Sequence, residues 1–207
     1  MPQHQNLPAV RPIADTDVPT AVDTLTRAFT GDPYIRHVIA ADGHEERIRR
    51  FQELCLTRIG IPYGRVWVAD EGRAVAAWST PDQDPSPAFE GIGALLGDLA
   101  GHRAAAYEVA EQAVEPHRPE EPAWFLNTVA VAPEAQGRGL GSRVLASGIE
   151  AAAREGYPAF LETSTERNVA FYERLGFEVT AEVPLPEGGP RIWCLRRNPG
   201  QGPTRTR

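Results

Sequence analysis

The 207-residue sequence predicts a single mixed α/β domain over residues 9–197, because strand-like and helical segments alternate along it. Two short apolar segments, joined by Asp70-Glu71-Gly72, are typical of a β-hairpin. The central sheet should therefore contain antiparallel as well as parallel pairs, with helices on its flanks. The polar ends, 1–8 and 198–207, contain proline or glycine and are expected to be flexible.

The first half of the chain is predicted to begin with a short strand over 9–13 and a helix capped by Asp15 or Thr16 that runs to Arg27. Asp32-Pro33 interrupts this helical pattern. Apolar residues at helical spacing then predict two further helices, and two apolar runs predict the strands of the hairpin. These four segments are 34–40 and 45–59 for the helices and 65–69 and 74–80 for the strands.

Residues 85–117 are predicted to form a helical insertion, divided by Gly101 into helices over 89–99 and 104–114. The apolar run 124–131 predicts a strand buried on both faces, followed by a glycine-rich turn. After this turn, helices and strands alternate again along the chain. The remaining elements are expected to be a helix over 142–155, a strand over 159–163, a helix over 168–175 and strands over 177–183 and 191–195.

The charged residues exclude several kinds of chemistry. All 21 basic residues are arginine, so the chain cannot use a Schiff-base lysine, a phosphate-loop lysine or a kinase lysine. The net charge of −7 argues against nucleic acid as a partner. No apolar run approaches the ~18 residues of a membrane span, which predicts a soluble, cytoplasmic protein. Cys55 and Cys194 lack metal-ligand spacing and are expected to be buried apolar residues, so no metal is predicted.

The most informative segment lies between the strand 124–131 and the following helix, where Gly137, Gly139 and Gly141 occur at alternate positions. Glycines let the backbone approach a ligand, and the free N–H groups of a helix N-terminus bind anions, so we expect a phosphate or pyrophosphate site. Arg138 and Arg143 add charge beside it. The simpler interpretation is a turn between strand and helix. The dinucleotide fingerprint is a poor match because Val144 occupies its last position.

Two segments carry a resemblance to a known superfamily. Gln136, Gly139 and Gly141 match the coenzyme A loop of the GCN5-related N-acetyltransferases (GNAT), which has Gln or Arg, two residues, Gly, one residue, then Gly or Ala. Residues 167–177, RNVAFYERLGF, resemble the second signature of that superfamily. Further segments, including HRPEEPAWFL and PAFLETS, are similar to the members that acetylate puromycin.

The resemblance implies a central sheet that splays open between the strands 124–131 and 159–163 to admit acetyl-CoA as co-substrate. It implies that backbone N–H groups of the glycine loop hold the pyrophosphate, and that an N–H near Val129 stabilises the oxygen of the thioester carbonyl. The residues implied to contact the coenzyme are Val129, Ala130, Val131, Gln136, Gly137, Arg138, Gly139, Leu140, Gly141, Ser142, Arg143, Asn168 and Tyr172.

Tyr172 and Asn168 have two interpretations each. The resemblance implies that Tyr172 is the general acid that protonates the departing thiolate, and that Asn168 contacts the coenzyme. The spacing alone favours a simpler role for Tyr172, as an aromatic residue on the buried face of a short helix. Asn168 could also be the N-cap of that helix, a role compatible with coenzyme contact.

The proton acceptor is less defined, because many superfamily members have a glutamate on the strand before the glycine loop and this chain has Asn127. Glu162 and Asp32 are the carboxylate candidates, acting directly or through water. Glu162 could instead be a buried structural acid, and Asp32 a turn residue before Pro33. An aminoacyl α-amine has a pKa of ~7.7–8.0, compared with ~10.4 for lysine, so positioning could replace a strong base.

The acceptor is expected to be a primary amine of a small molecule, most closely puromycin or a related aminoacyl nucleoside, acetylated for resistance or self-protection. Asp32 could pair with its ammonium group. The alternatives are an enzyme that acetylates a peptide or protein N-terminus and an inactive acetyl-CoA-binding sensor. Nucleic acid, membrane and metal are not expected, and the protein should be a monomer or homodimer. The candidate acceptor pocket, of which only two or three members need touch substrate, comprises Phe29, Asp32, Tyr34, His37, Trp78, Phe89 and Trp124.

Overall fold

The structure is a computed structural model that describes residues 8–201. The predicted flexible ends therefore fall largely outside the described residues, namely over 1–7 and 202–207. At the described part of the C-terminal end, the backbone N–H of Asn198 donates to the side chain of Gln201 at 2.7 Å. Gln201 in turn donates to Glu178 at 3.0 Å, which holds this turn against the sheet.

The seven strands form one mixed sheet in the order β1-β2-β3-β4-β5-β7-β6. The β4–β5 pair is parallel, and the other pairs are antiparallel, as the hairpin pattern predicted. The strands are β1 (Arg11–Pro12), β2 (Gly64–Ala69), β3 (Ala74–Ser79), β4 (Trp124–Val131), β5 (Ala159–Thr163), β6 (Glu178–Pro184) and β7 (Arg191–Arg197).

The sheet opens between β4 and β5. These strands pair at three positions only, from Trp124 opposite Ala159 to Leu126 opposite Leu161. Beyond Leu126, the register of β4 with β3 shifts by one residue, so that Asn127 forms a bulge. The second half of β4 therefore has an unpaired edge, and the splay that the superfamily resemblance implied is present.

One face of the sheet is covered by α7 (Leu140–Glu155) and α8 (Glu166–Glu173). Helix α7 packs against β2, β3 and β4 through a stripe that includes Val144, Leu145 and Ile149. The two fully buried tryptophans of this core, Trp78 and Trp124, meet edge to face with ring centroids 6.3 Å apart. This packing fixes the glycine-rich turn, from which α7 starts, over the open end of β4.

The other face is covered by α1 (Val18–Phe29), α2 (Pro33–Val38), α3 (His44–Leu54) and α6 (Ala104–Val114). Asp32 caps α2, which is why the chain turns sharply at Asp32-Pro33. Helix α3 continues through a π-helical segment, Cys55–Gly60, into the short turn α4 (Ile61–Tyr63). The helical insertion consists of α5 (Ser86–Ala100) and α6, and Gly101 divides them at a φ of +62°, as predicted.

Three expectations need correction. The strand predicted over 9–13 is reduced to the two residues of β1. Strand β4 is not buried on both faces, because its second half borders the opening and Asn127 is exposed. Cys194 is buried, but Cys55 is only half-buried. Among residues 8–201, no helix combines the length and the apolar character needed to cross a bilayer.

Candidate active site

The glycine-rich turn ends at Gly139, which is the N-cap of α7 and has a φ of +74°. No side chain caps this helix, so the N–H groups of its first turn remain available to a ligand. Gly137 has the same left-handed φ of +74°. A β-carbon on Gly141 would lie 3.3 Å from a methyl group of Val131, so the turn also sits tightly on β4. These features give the turn free N–H groups of the kind that bind anions, at the N-terminal end of a sixteen-residue helix.

The polar side chains around this turn are not all directed to it. Gln136 donates from Nε2 to the carbonyl of Val131 at 3.1 Å, which fixes the turn to the end of β4. Arg138 pairs with Asp70 at 3.3 Å. Arg143 donates to the carbonyl of Pro8 at 2.7 Å. The guanidinium of Arg143 is therefore held by the N-terminal segment, and Arg143 does not border the cleft.

The open edge of β4 presents backbone groups to the space between β4 and β5. The N–H of Ala132 donates to the carbonyl of Arg73 at 2.8 Å, so this pair is a hydrogen-bonded position of the antiparallel ladder. Such positions alternate, so Ala130 also faces β3. The backbone groups of Val129 and Val131 consequently face the opening. An N–H at Val129 is thus free to donate to a bound carbonyl group.

A single cleft of about 1160 Å³ runs from the glycine-rich turn, through the opening in the sheet, to the helices of the opposite face. We call its far part the chamber; its walls come from α1, α2, α3, α6, β4 and β5, and its residues are Phe29, Asp32, Tyr34, Phe51, Gln52, Tyr107, Glu111, Arg118, Phe125 and Glu162. The predicted coenzyme residues that border the cleft are Val129, Ala130, Val131, Gln136, Gly137, Gly139, Leu140, Gly141, Ser142, Asn168 and Tyr172.

Four polar side chains of the chamber form one connected network. Arg118 donates from Nε to Glu162 Oε1 at 2.7 Å and from Nη2 to Glu111 Oε2 at 3.0 Å. The hydroxyl of Tyr34 donates to the other oxygen of Glu111 at 2.7 Å. Two carboxylates thus share one guanidinium, which leaves the network with one excess negative charge. That charge favours a cation over an anion in the chamber.

Burial shapes the pKa values of this network. Burial raises the pKa of Glu162, and the hydrogen bond from Arg118 opposes this effect without cancelling it. Burial acts to lower the pKa of Arg118, but Glu162 and Glu111 outweigh it, so the guanidinium stays charged. Burial, and then Glu111, raise the pKa of Tyr34. Glu162 is therefore a carboxylate with raised proton affinity at the wall of the cleft.

Asp32, the second carboxylate candidate, is engaged in local structure. Its Oδ1 accepts the backbone N–H groups of Tyr34 and Ile35 at 2.9 and 3.1 Å, which caps α2. Its Oδ2 accepts the hydroxyl of Ser164 at 2.7 Å. Asp32 therefore ties α2 to the end of β5 and fixes one wall of the chamber, while its carboxylate still borders the cleft.

Tyr172 lies on the buried side of α8 and is 5% exposed. Its ring packs against Phe171 and Phe177, with centroids 5.3 and 5.9 Å away, and burial raises its pKa. The described residues provide no hydrogen-bond partner for its hydroxyl, although the side chain borders the cleft. The ring is thus a core residue, as the spacing predicted, and the residue also lines the cleft. The general-acid role that the resemblance implies stays a prediction.

Asn168 is not the N-cap of α8. Thr165 has that role and accepts the backbone N–H of Asn168 at 3.3 Å. The side chain of Asn168 instead donates from Nδ2 to Thr163 Oγ1 at 3.1 Å. It joins α8 to the end of β5, where it borders the cleft.

Three predicted acceptor residues are placed elsewhere. Trp78 and Trp124 are completely buried in the core beneath α7, so the prediction that they line an acceptor pocket is wrong. His37 lies 3.0 Å from Arg103, outside the residues that border the cleft. Burial, and then Arg103, lower its pKa. Phe29, Tyr34 and Phe89 do border the cleft.

Sequence reasoning missed Gln52, Tyr107, Glu111, Arg118 and Phe125, which all border the cleft. The spacing of Tyr107 and Glu111, four residues apart on a predicted helix, puts them on one face and could have indicated a shared surface. No comparable signal marks Gln52 or Arg118. No group of three or more His, Cys, Asp or Glu residues suited to a metal occurs within residues 8–201.

Comparison with known proteins places these features in a wider group. Residues 61–177 match the acetyltransferase (GNAT) family. A structure from Corynebacterium glutamicum, described as histone acetyltransferase HPA2 and related acetyltransferase, is 28% identical with a TM-score of 0.70, and the match covers 94% of this chain and 98% of that one.

Two more distant structures share the fold alone. The ribosomal-protein-S18-alanine N-acetyltransferase from Escherichia coli is 16% identical with a TM-score of 0.52, over 96% of this chain and 98% of that one. The Drosophila melanogaster polyamine N-acetyltransferase, which forms N-acetylagmatine, is 13% identical with a TM-score of 0.54, over 92% and 99% of the two chains. The amine acceptors named for these two enzymes differ.

Proposed function

The chain belongs to the acetyltransferase (GNAT) family and is an N-acetyltransferase, and from this premise we propose that it acetylates the primary amine of a small molecule. The acceptor that we propose is puromycin or a related aminoacyl nucleoside, because the segments HRPEEPAWFL and PAFLETS are similar to those of family members that acetylate puromycin. Acetylation would then serve resistance or self-protection. The single observation that carries the proposal is the continuous cleft, which joins an anion site at the glycine-rich turn to a chamber containing aromatic and acidic side chains.

The residues at the turn fit acetyl-CoA. The free N–H groups at the start of α7, around Gly139, Gly141 and Ser142, would hold its pyrophosphate. The unpaired edge of β4 offers backbone groups to the amides of the pantetheine arm. When bound, the coenzyme supplies an acetyl group activated as a thioester.

At the opening between β4 and β5, one backbone group and one side chain would take part in the transfer. The N–H of Val129 would donate to the thioester oxygen and stabilise the negative charge that develops there. As the amine nitrogen bonds to the acetyl carbon, the carbon–sulfur bond breaks. Tyr172 would give its proton to the sulfur, as a neutral phenol that burial keeps protonated.

The proton of the amine would leave through the chamber. Glu162 has the raised proton affinity that suits a general base, and it would act directly or through water. Its place in the Arg118 network also gives it a structural role, and the two roles are compatible. Asp32 would position α2 and contribute negative charge toward the ammonium form of the acceptor.

The lining of the chamber supports an aromatic acceptor. Phe29, Phe51, Phe125 and Tyr34 provide flat apolar surface, on which a tyrosyl ring or a nucleobase can pack. The excess negative charge of the Glu111–Arg118–Glu162 group favours a cation over an anion. An aminoacyl nucleoside combines both properties.

The test is turnover of acetyl-CoA with a panel of acceptors: puromycin, agmatine, an arylethylamine and a peptide with a free N-terminus. Release of the coenzyme thiol gives the rate, mass spectrometry identifies the product, and a reaction without acceptor corrects for hydrolysis. We expect puromycin to have the highest kcat/KM. The absence of acetylpuromycin at millimolar concentration would refute the proposed acceptor, higher turnover of the peptide would favour the N-terminal alternative, and binding of acetyl-CoA without transfer to any amine would favour a sensor.

A further inference from the structure

Gln52 is a buried polar residue for which the fold alone gives no reason. It is 4% exposed, yet its side chain borders the chamber. None of the described residues forms a hydrogen bond with its amide. The amide nitrogen and oxygen themselves are not completely buried, so they face the open space of the chamber and are available to a partner from outside the chain.

The place of Gln52 in α3 puts it opposite the opening in the sheet. Ile48, four residues earlier, packs into the core beneath β5 and β7 with Phe160. Leu56, four residues later, packs into the core beneath β3 and β4 with Ala130. Gln52 therefore lies between these two cores, where β4 and β5 diverge. This is where the acceptor amine and the acetyl group would meet.

Tyr107 supplies a second unpaired polar group on the same side of the chamber. Its side chain is half-buried and borders the cleft, and its hydroxyl has no hydrogen-bond partner among residues 8–201. Glu111, one turn further along α6, is already bonded to Tyr34 and Arg118. The unpaired groups are thus neutral, whereas the charged groups already have partners.

From this arrangement we propose that Gln52 and Tyr107 recognise a neutral amide next to the acceptor amine, so that α-amino amides are preferred to simple amines and to free amino acids. A glutamine amide offers one acceptor and two donor hydrogens, which complement the carbonyl and N–H of another amide. A free amino acid is disfavoured because Glu111 and Glu162 would repel its carboxylate, and Arg118 is already shared between them. The inference rests on the proposed function and specifies its acceptor class.

Three acceptors that share the 2-phenylethylamine skeleton test this subsite: phenylalaninamide, 2-phenylethylamine and phenylalanine. With saturating acetyl-CoA, kcat/KM is measured for wild type, Gln52→Met, Tyr107→Phe and the control Gln112→Met, which changes an exposed glutamine of α6. The informative quantity is the ratio of phenylalaninamide to 2-phenylethylamine. The different pKa values of the two amines cancel when this ratio is compared between variants.

We expect the wild type to turn over phenylalanine least, and Gln52→Met to lower the ratio by at least about fivefold, which corresponds to the loss of one such hydrogen bond. Tyr107→Phe should lower the ratio in the same direction, and Gln112→Met should leave it unchanged. An unchanged ratio in Gln52→Met would overturn the inference, because it would mean that the Gln52 amide binds only water and not the acceptor. Equal losses for both acceptors would also overturn it, because they indicate a structural role.

The preference for phenylalaninamide over 2-phenylethylamine can also be measured as a ratio of Kd values, by calorimetry with coenzyme A present. This readout separates the two proposals. If the wild type acetylated neither puromycin nor any of these amines, the proposed function would fail, while the calorimetric ratio would still decide whether Gln52 recognises an amide.

Discussion

Arg118 donates hydrogen bonds to both carboxylate oxygens of Glu162, from Nε at 2.7 Å and from Nη2 at 3.2 Å. Arg118 follows the helical insertion, and Glu162 lies on β5 at the opening of the sheet. This contact therefore connects the part of the chain that walls the chamber to the strand that borders the site of transfer. It also opposes the effect of burial on the pKa of Glu162.

Removing this contact should change the pH dependence of transfer. Burial raises the pKa of Glu162 and Arg118 lowers it, so Arg118→Ala should raise that pKa further. A higher pH is then needed to obtain the carboxylate that accepts the proton. We expect the acidic limb of the kcat/KM profile to move to higher pH in Arg118→Ala.

Arg118→Lys retains a positive charge and should move the limb less. Arg154→Ala, an exposed substitution at the end of α7, is the control and should leave the profile in place. A limb at the same pH in Arg118→Ala and wild type would show that Glu162 does not accept the proton.

A second prediction separates coenzyme binding from backbone strain. Gly139 and Gly156 flank α7, with left-handed φ angles of +74° and +80°, and a β-carbon at either position would meet no atom within 4 Å. Alanine at either residue should therefore cost a similar ~1–2 kcal/mol in the free energy of unfolding. Only Gly139 lies in the anion site. Gly139→Ala should raise the Kd for acetyl-CoA, and Gly139→Val should raise it more strongly, by more than about tenfold, because they distort the turn that presents the N–H groups.

Calorimetric titration of the three variants with acetyl-CoA checks this prediction, and thermal unfolding measures the backbone strain that the two alanine variants share. Gly156→Ala should keep the wild-type Kd. Equal values of Kd for all three substituted proteins and the wild type would contradict the assignment of the turn.

The sequence was sufficient for features that depend on local pattern. Helical spacing and the glycines predicted α7, β4 and the glycine-rich turn between them, and Gly101 divided the insertion where expected. Features that depend on distant contacts were not predictable. A tryptophan suits both an acceptor pocket and a hydrophobic core, so the sequence does not distinguish the two places for Trp78 and Trp124. Only the packing of α7 shows that they belong to the core.

The chamber also depends on contacts between residues that are distant in the sequence. Glu162 was one of the two carboxylate candidates, but its partner Arg118 lies 44 residues away in the chain. A pair so far apart leaves no periodic signal in one sequence. Gln52 also has helical neighbours of ordinary composition, and its unpaired amide becomes visible only when Ile48 and Leu56 are seen to pack into different cores.

A third prediction concerns the closest contact between α7 and the sheet. A β-carbon on Gly148 would lie 2.3 Å from Nε1 of Trp78, and this indole is completely buried. Gly148→Ala should therefore lower the free energy of unfolding by about 1–3 kcal/mol or more, because the ring has no space to move. Gly91→Ala in α5 is the matched control. A β-carbon there meets nothing within 4 Å, so the variant should gain up to about 1 kcal/mol.

Urea unfolding monitored by tryptophan fluorescence measures both free energies. A Gly148→Ala protein as stable as the wild type would mean that α7 does not pack on Trp78 as closely as the structure shows.

The final prediction concerns the proton donor. Tyr172→Phe keeps the ring that packs against Phe171 and Phe177, so the fold and the Kd for acetyl-CoA should change little. It removes only the hydroxyl, and kcat should fall by about 10²-fold, the lower end of the usual contribution of general acid catalysis. Since burial raises the pKa of Tyr172, the phenol stays protonated at neutral pH, and its loss should lower kcat without moving the acidic limb. Tyr157→Phe serves as the control, because Tyr157 is a half-buried tyrosine just after the C-terminal end of α7. Full activity in Tyr172→Phe, measured by release of the coenzyme thiol, would remove Tyr172 from the mechanism and leave it as a core residue.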